Sequence, residues 1–364
     1  MPRNEEGRFD ALLSVTDVER LLCAGGLRFP AFRLVKAGAQ LDVGSYTTSI
    51  PWRPAPFSGT AEIGRVLEEF EAGATLVLQG LHLTWPPVAE FCRALEQELG
   101  HPVQANAYFT PREAQGLPVH HDTHDVFSLQ VTGEKRWLVY PPALELPLKH
   151  QRYKPEHGEP GRPVHDVTLR PGDTLYIPRG WLHEAATSAS DSLHITVGVN
   201  VYTWLDAFKA ALEECGDDVA FRRSSNGDVD DLVELLRERL APEDVARRQR
   251  RRLVRTRRPI LGGQLTQLRA LEGLSLETRV ERRPTVLFDL DGTTLVFEGK
   301  EVVFPELARE DLEFVAHADE AFTPVDLPGD LDDESRLVLV RRLVREGFLR
   351  VSGAEPNTGE DAAE

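Results

Sequence analysis

The chain has 364 residues, 41% hydrophobic and 28% charged, with a formal net charge of −17. That length can bury more than one packed core. The acidic balance argues against bulk attraction to nucleic acid or to an anionic membrane surface, so neither direct nucleic-acid binding nor membrane association is expected.

In chain order, residues 8–24 and 58–73 have helical spacing, the second with Ser58 or Thr60 as its cap. ATLVLQGLHL (74–83) alternates like a strand. Pro86 and Pro87 then introduce a helix with the apolar stripe Val88, Phe91, Leu95 and Leu99. From about 103 to 201 short strands follow closely: QANAYFT, VHHDTHDVFSLQV, KRWLVYPP, PVHDVTLRPG, DTLYIPRGW and SLHITVGVN. This density predicts an antiparallel sandwich or barrel. After Val201 come amphipathic helices, WLDAFKAALEEC and VDDLVELLRERL, with GDDV and SSNGD as breakers.

RRQRRRLVRTRR (247–258) holds eight arginines in twelve positions. In so acidic a chain it reads as a helix face countering nearby carboxylates, or pairing across an interface, rather than as a nucleic-acid patch. FDLDGTT (288–294) resembles the nucleophile motif of haloacid-dehalogenase-like phosphatases, but only 73 residues follow Asp291. The string reads instead as a hairpin with an Asp-Gly turn. DDESRLVLVRRLVREGFLRV predicts a helix with Leu337, Val340, Leu343 and Val344 inward, ended by Gly347 and followed by a strand.

Cys23, Cys92 and Cys215 are far apart and follow no CxxC spacing, which reads as reduced, buried thiols of a cytoplasmic protein. The opening MPRNEEGRFDALLS has no apolar run of signal-peptide kind, and no window approaches the length of a membrane span.

The chemistry concentrates in HHDTHD (120–125), three histidines and two aspartates in six positions. On a regular strand His120, Asp122 and His124 would share one face, with His121 and Asp125 on the other. Two ligands one residue apart can reach a common ion, and a third must come from another strand. His183, in LRPGDTLYIPRGWLHEA, is the candidate. Two imidazoles and a carboxylate on one side of an ion suit non-haem Fe(II), and zinc tolerates the same set. The residues alone leave open whether His120 or His124 joins Asp122. Lys135 shares a face with Trp137 on the next strand, within reach of hydroxyls such as Tyr108 or Thr196, and read by itself it is a solvated hairpin lysine.

NAYFTPREAQGLPVHHDTHDVFSLQVTGEKRWLVYPP, followed by PGDTLYIPRGWLH, resembles the JmjC-type branch of the cupin superfamily, and within it the ribosomal oxygenases, over Asn106 to Asn200. The resemblance implies a metal triad of His120, Asp122 and His183, Fe(II) as the ion, and 2-oxoglutarate and O₂ as cosubstrates. It implies Lys135 as the distal-carboxylate cation and Asn106 and Thr196 as residues near the cosubstrate. No separate side-chain base is then needed. His124 becomes a bystander or pocket residue, and Trp181 packs behind His183 or lines the pocket.

The fold expected is mainly β with flanking helices: a cupin/JmjC double-stranded β-helix over 1–203, a helical dimerisation region over 204–260, a winged-helix-like domain over 261–356 and a disordered tail over 357–364. The implied activity is hydroxylation of a histidine or arginine side chain in a basic ribosomal protein by a homodimer. A peptide natural product or amino acid as substrate, or a non-enzymatic cupin-like binding protein, is the alternative.

Overall fold

The computed structural model describes residues 5–23, 26–154, 156, 160–187, 189–225 and 229–354; the tail expected over 357–364 lies outside them. The chain divides into two compact units, 1–201 and 202–364. The architecture is mixed α/β, with an antiparallel β core flanked by helices, where the sequence led us to expect mainly β with flanking helices.

Unit 1 contains α1 (Val15–Cys23), β1 (Phe32–Lys36), β2 (Ala39–Gln40), α2 (Val43–Tyr46), β3 (Thr47–Ile50), β4 (Phe57–Ala61), α3 (Ile63–Glu71), β5 (Thr75–Leu78), α4 (Leu81–Thr84), α5 (Pro86–Leu99), β6 (Val103–Thr110), β7 (Asp125–Thr132), β8 (Lys135–Pro142), β9 (His165–Leu169), β10 (Thr174–Ile177), β11 (Trp181–Ala186) and β12 (Ser192–Val199). Seven strands form one sheet in the order β10-β7-β12-β6-β5-β1-β2, and β11-β8-β9 form a second. The strand period of two decides what each face does. Leu76, Ala105, Leu129, Leu193 and Ile195 turn to one side of the large sheet and pack with Val66 of α3 and Val88 and Cys92 of α5. Each fully buried Leu or Ile contributes roughly 1.5–3 kcal/mol. The alternate residues Tyr108, Thr110, His194 and Thr196 are thereby left to face a cavity shared with the small sheet.

Several local expectations are corrected. The helix expected over 8–24 covers only Val15–Cys23, because Ser14 and Asp17 exchange side-chain and backbone hydrogen bonds and fix its start. Ser58 and Thr60 lie in β4, and the following helix is capped instead by Glu62, which accepts from Arg65 N. In α5 the buried face is Val88, Ala89, Cys92, Arg93 and Glu96, and Leu99 is exposed. The reason is polar: Glu96 accepts from Arg93 Nε and from Val103 N, which turns that side of the helix towards β6. Cys92 and Cys215 are buried, but Cys23 is exposed.

Unit 2 contains α6 (Trp204–Cys215), α7 (Asp230–Glu238), α8 (Pro242–Thr256), α9 (Gln264–Ala270), β13 (Val280–Arg282), β14 (Phe288–Asp291), β15 (Thr294–Phe297), β16 (Lys300–Val303), α10 (Arg309–His317), α11 (Asp333–Glu346) and β17 (Leu349–Val351). FDLDGTT is the β14–β15 hairpin, with Asp291 opposite Thr294. Asp289 and Asp291 both accept from Arg251. Other arginines of α8 are likewise committed: Arg247 to Asp244, Arg248 to Glu214, Arg252 to Asp206 and Arg255 to Glu301. The arginine run is thus a face that neutralises carboxylates of its own unit. On α11 Leu339, Val340, Leu343 and Val344 are buried with Leu337 packed against them, and Gly347 ends the helix in the left-handed region. Among the described residues no helix is long and apolar enough to cross a membrane.

Candidate metal centre

The segment expected to be a strand from 119 becomes one only at Asp125; residues 117–124 are irregular apart from a bridge between His120 and His183. Face alternation therefore does not apply to HHDTHD, and the ligand side is set by backbone pairing. His120 N donates to His183 O (3.1 Å) and His183 N to His120 O (2.8 Å). This pairing brings the two imidazoles together, with ring centres 4.4 Å apart and ring planes tilted by 55°. Asp122 Oδ2 lies 3.6 Å from His183 Nε2. One ligand atom each from His120, Asp122 and His183 falls within 4.8 Å of the others.

The hydrogen bonds of the two rings suit a metal. His120 Nδ1 donates to Pro118 O (2.8 Å) and His183 Nδ1 to Trp181 O (3.0 Å). A carbonyl can only accept, so each proton sits on Nδ1 and each Nε2 keeps its lone pair free. Burial, and then the His120 imidazole beside it, hold the His183 pKa down at about 4, so its ring is neutral at ordinary pH. Two imidazole nitrogens and one carboxylate are a donor set that accepts Fe(II).

The triad borders a cavity of about 280 Å³ whose walls include Tyr108, Thr110, Val126, Lys135, His194 and Thr196. Lys135 is 4% exposed, and its Nζ donates to Thr110 Oγ1 at 2.9 Å. Burial lowers its pKa to about 7. It is a buried cavity lysine, not a solvated hairpin one. His194 stacks on Tyr108 with ring centres 5.1 Å apart, and its Nδ1 is buried without a partner. Burial, then Lys135, hold His194 well below the usual imidazole range. Burial, then Asp122, push the Tyr108 phenol up to about 12, so it stays a neutral donor. A buried amine and an unpartnered imidazole nitrogen in one pocket fit an anionic, oxygen-rich ligand.

Of the residues expected near a cosubstrate, Lys135, Tyr108 and Thr196 line the cavity. Asn106 does not; its Oδ1 accepts from Gly80 N. His124 and Trp181 do not line it either. His124 packs on Gly198 and contacts Gln104 Nε2, while Trp181 packs against the cluster of Val126, Trp137, Leu169 and Ile177. His121 is 4% exposed and lies edge-on to Tyr153, away from the cavity. Thr110, His194 and Arg33 were not anticipated. They stand on β6, β12 and β1, and only the sheet pairing brings them to one pocket.

Comparison with known proteins agrees with this geometry. Residues 82–207 match the JmjC domain family. The chain is 33% identical over 192 residues to the bifunctional lysine-specific demethylase and histidyl-hydroxylase NO66 of Drosophila persimilis, covering 52% of this chain and 26% of that one. It is 45% identical over 105 residues to ribosomal oxygenase 2 of Bos taurus, covering 28% and 22%. The chain thus matches only about a quarter of the length of each of these two relatives. Among solved structures, ribosomal oxygenase YcfD of Escherichia coli with cobalt and 2-oxoglutarate superimposes with a TM-score of 0.53 at 20% identity, covering 94% of this chain and 91% of that one. That likeness establishes the fold. Residues 82–207 thus match the JmjC domain model, and the stretches aligned with the curated relatives are similar to ribosomal oxygenases.

Proposed function

We propose that the protein is an Fe(II)- and 2-oxoglutarate-dependent hydroxylase acting on a histidine or arginine side chain of a basic ribosomal protein. The observation that carries this reading is one cavity bordered by two imidazoles with free Nε2 atoms, a carboxylate and a buried lysine. The relatives' names support it: one is a histidyl-hydroxylase, another a ribosomal oxygenase, and the E. coli neighbour was solved with cobalt and 2-oxoglutarate.

His120, Asp122 and His183 would hold the ion, and their placement on one side leaves its other positions to ligands. Lys135, steadied by Thr110, would hold the distal carboxylate. Tyr108 stays protonated beside Asp122 and offers a hydroxyl donor. Together, iron, 2-oxoglutarate and O₂ supply decarboxylation of the keto acid to succinate and CO₂, coupled to insertion of one oxygen atom into a C–H bond. The chain's own task is to orient the target side chain and keep bulk water from the pocket.

Unit 2 on this reading comprises a helical dimerisation region over 204–260 and a winged-helix-like module over 261–356. Helix α6 supports the first part, because Trp204, Leu205, Phe208 and Leu212 are exposed along it. Reduced cysteines and a ribosomal target fit a cytoplasmic location.

The test compares intact masses of ribosomal proteins from cells with and without this protein, followed by reconstitution on the responding protein. A gain of one oxygen, dependent on Fe(II) and 2-oxoglutarate, is expected. Demethylation without oxygen retention, or no 2-oxoglutarate dependence, would contradict the reading.

A further inference from the structure

The two segments that deliver the triad are distant in sequence and run antiparallel past each other, 120–125 against 183–179. Three of their links are purely backbone: the reciprocal His120–His183 pair and Gly180 N to Asp122 O at 3.0 Å. The next link is different in kind. Arg179 N donates to Asp125 Oδ1 at 2.9 Å, so a side chain closes the ladder at the point where the irregular ligand segment becomes β7. The carboxylate is mostly buried, and Arg179 Nη1 lies 3.8 Å from its other oxygen.

The turn that Asp125 holds has no freedom to be rebuilt elsewhere. Gly180 has φ +90°, and a Cβ there would come within 2.1 Å of Leu144 O. Its own carbonyl accepts from Ala143 N. Directly after it, β11 changes register against β8 between Trp181 and His183. The orientation of His183 towards Asp122 therefore depends on where residues 178–180 are anchored, and Asp125 is the anchor that belongs to the other ligand segment.

We propose that Asp125 is a positioning residue of the metal centre: its carboxylate, by accepting from Arg179 N, holds the turn before His183 at the distance from Asp122 that lets both ligands meet one ion. This rests on the triad being a metal site. Asp125 touches neither ion nor cosubstrate, and its effect is carried by acceptor geometry. Partners bonded directly to a ligand typically set metal affinity by about 10-fold or more, and Asp125 acts one link further out, through the backbone that carries His183.

The experiment titrates the metal-stripped full-length chain with Co²⁺ alone, by calorimetry and visible absorption, with folding checked by circular dichroism and melting. Asp125→Ala, which removes the acceptor, should weaken Co²⁺ binding by about 10-fold or more and alter the cobalt absorption bands at saturation. Asp125→Asn, which keeps an acceptor oxygen, should stay within about threefold of wild type, since a neutral amide oxygen still accepts from Arg179 N. A folded Asp125→Ala that binds Co²⁺ like wild type overturns the proposal. So does an Asn variant as weak as the Ala variant, or an Ala variant that does not fold, which would make Asp125 a residue of the fold. Wild-type protein whose cobalt binding is absent, or unchanged by His183→Ala, would instead sink the metal-site reading and the clamp with it.

Discussion

Lys135 is the residue on which charge, burial and function meet. In the free protein burial lowers its pKa to about 7, against an ordinary value of 10.5. Between those two values the unfolded chain binds a proton that the folded chain does not, so this group's burial penalty is full below pH 7 and fades as pH rises. Ligand binding runs the opposite way, because a carboxylate favours the ammonium form. With the metal saturating, dicarboxylate affinity should be level below pH 7 and weaken by up to about tenfold per pH unit above it, with proton uptake seen by calorimetry in two buffers. Lys135→Arg, which stays charged, should remove that slope, and a slope unchanged in the variant would place the titration elsewhere. His120 and His121 separate similarly. His120→Ala should abolish Co²⁺ binding, whereas His121→Ala should keep it within a few-fold and lower the melting temperature, since its ring is buried against Tyr153. The ligand types and the distant His183 were legible in the chain. The residues that complete the pocket were not, because Thr110, His194 and Arg33 carry no local pattern and are joined only by strand order.

Among elements, the β7–β8 hairpin does most to place the cosubstrate end of the site. Its two-residue connection, Gly133-Glu134, brings Lys135 onto the strand that pairs with β9 and β11. Gly133 has φ +65°, and a Cβ there would lie 1.7 Å from Asp191 O. Gly133→Ala should therefore cost about 2–3 kcal/mol, read as a lowered denaturation midpoint, because both the backbone strain and the clash must be relieved. Stability equal to wild type would show that the 191–192 segment yields freely. The sequence located this hairpin well, since KRWLVYPP is a short strand-like run rich in β-branched and aromatic residues and its turn is marked by glycine. It misjudged the preceding element. VHHDTHD sets His120, Asp122 and His124 at every second position, as one strand face would, yet Asp122 O and the His120 amide and carbonyl are used by the 180–183 segment and leave no ladder for a regular partner. Functional spacing imitated strand periodicity there.

For the whole molecule, the charge of −17 is distributed so that the arginine run of α8 is largely matched within unit 2. This leaves the acidic excess free to attract a basic polypeptide. The exposed apolar side of α6 bears on assembly. If it is covered by a second copy, the double change Phe208→Asp and Leu212→Asp should halve the mass seen by light scattering while the Co²⁺ site stays intact; an unchanged mass would remove α6 from the interface. Every functional statement above depends on three side chains, drawn from positions 120, 122 and 183, meeting one ion beside Lys135. The most direct measurement is a crystal structure of the protein with Co²⁺ and 2-oxoglutarate. The account predicts Nε2 of His120, Nε2 of His183 and an oxygen of Asp122 at about 2.1 Å from the ion. The far carboxylate should lie against Lys135 Nζ. An ion held elsewhere, or a cosubstrate that leaves Lys135 bonded to Thr110 alone, would contradict it.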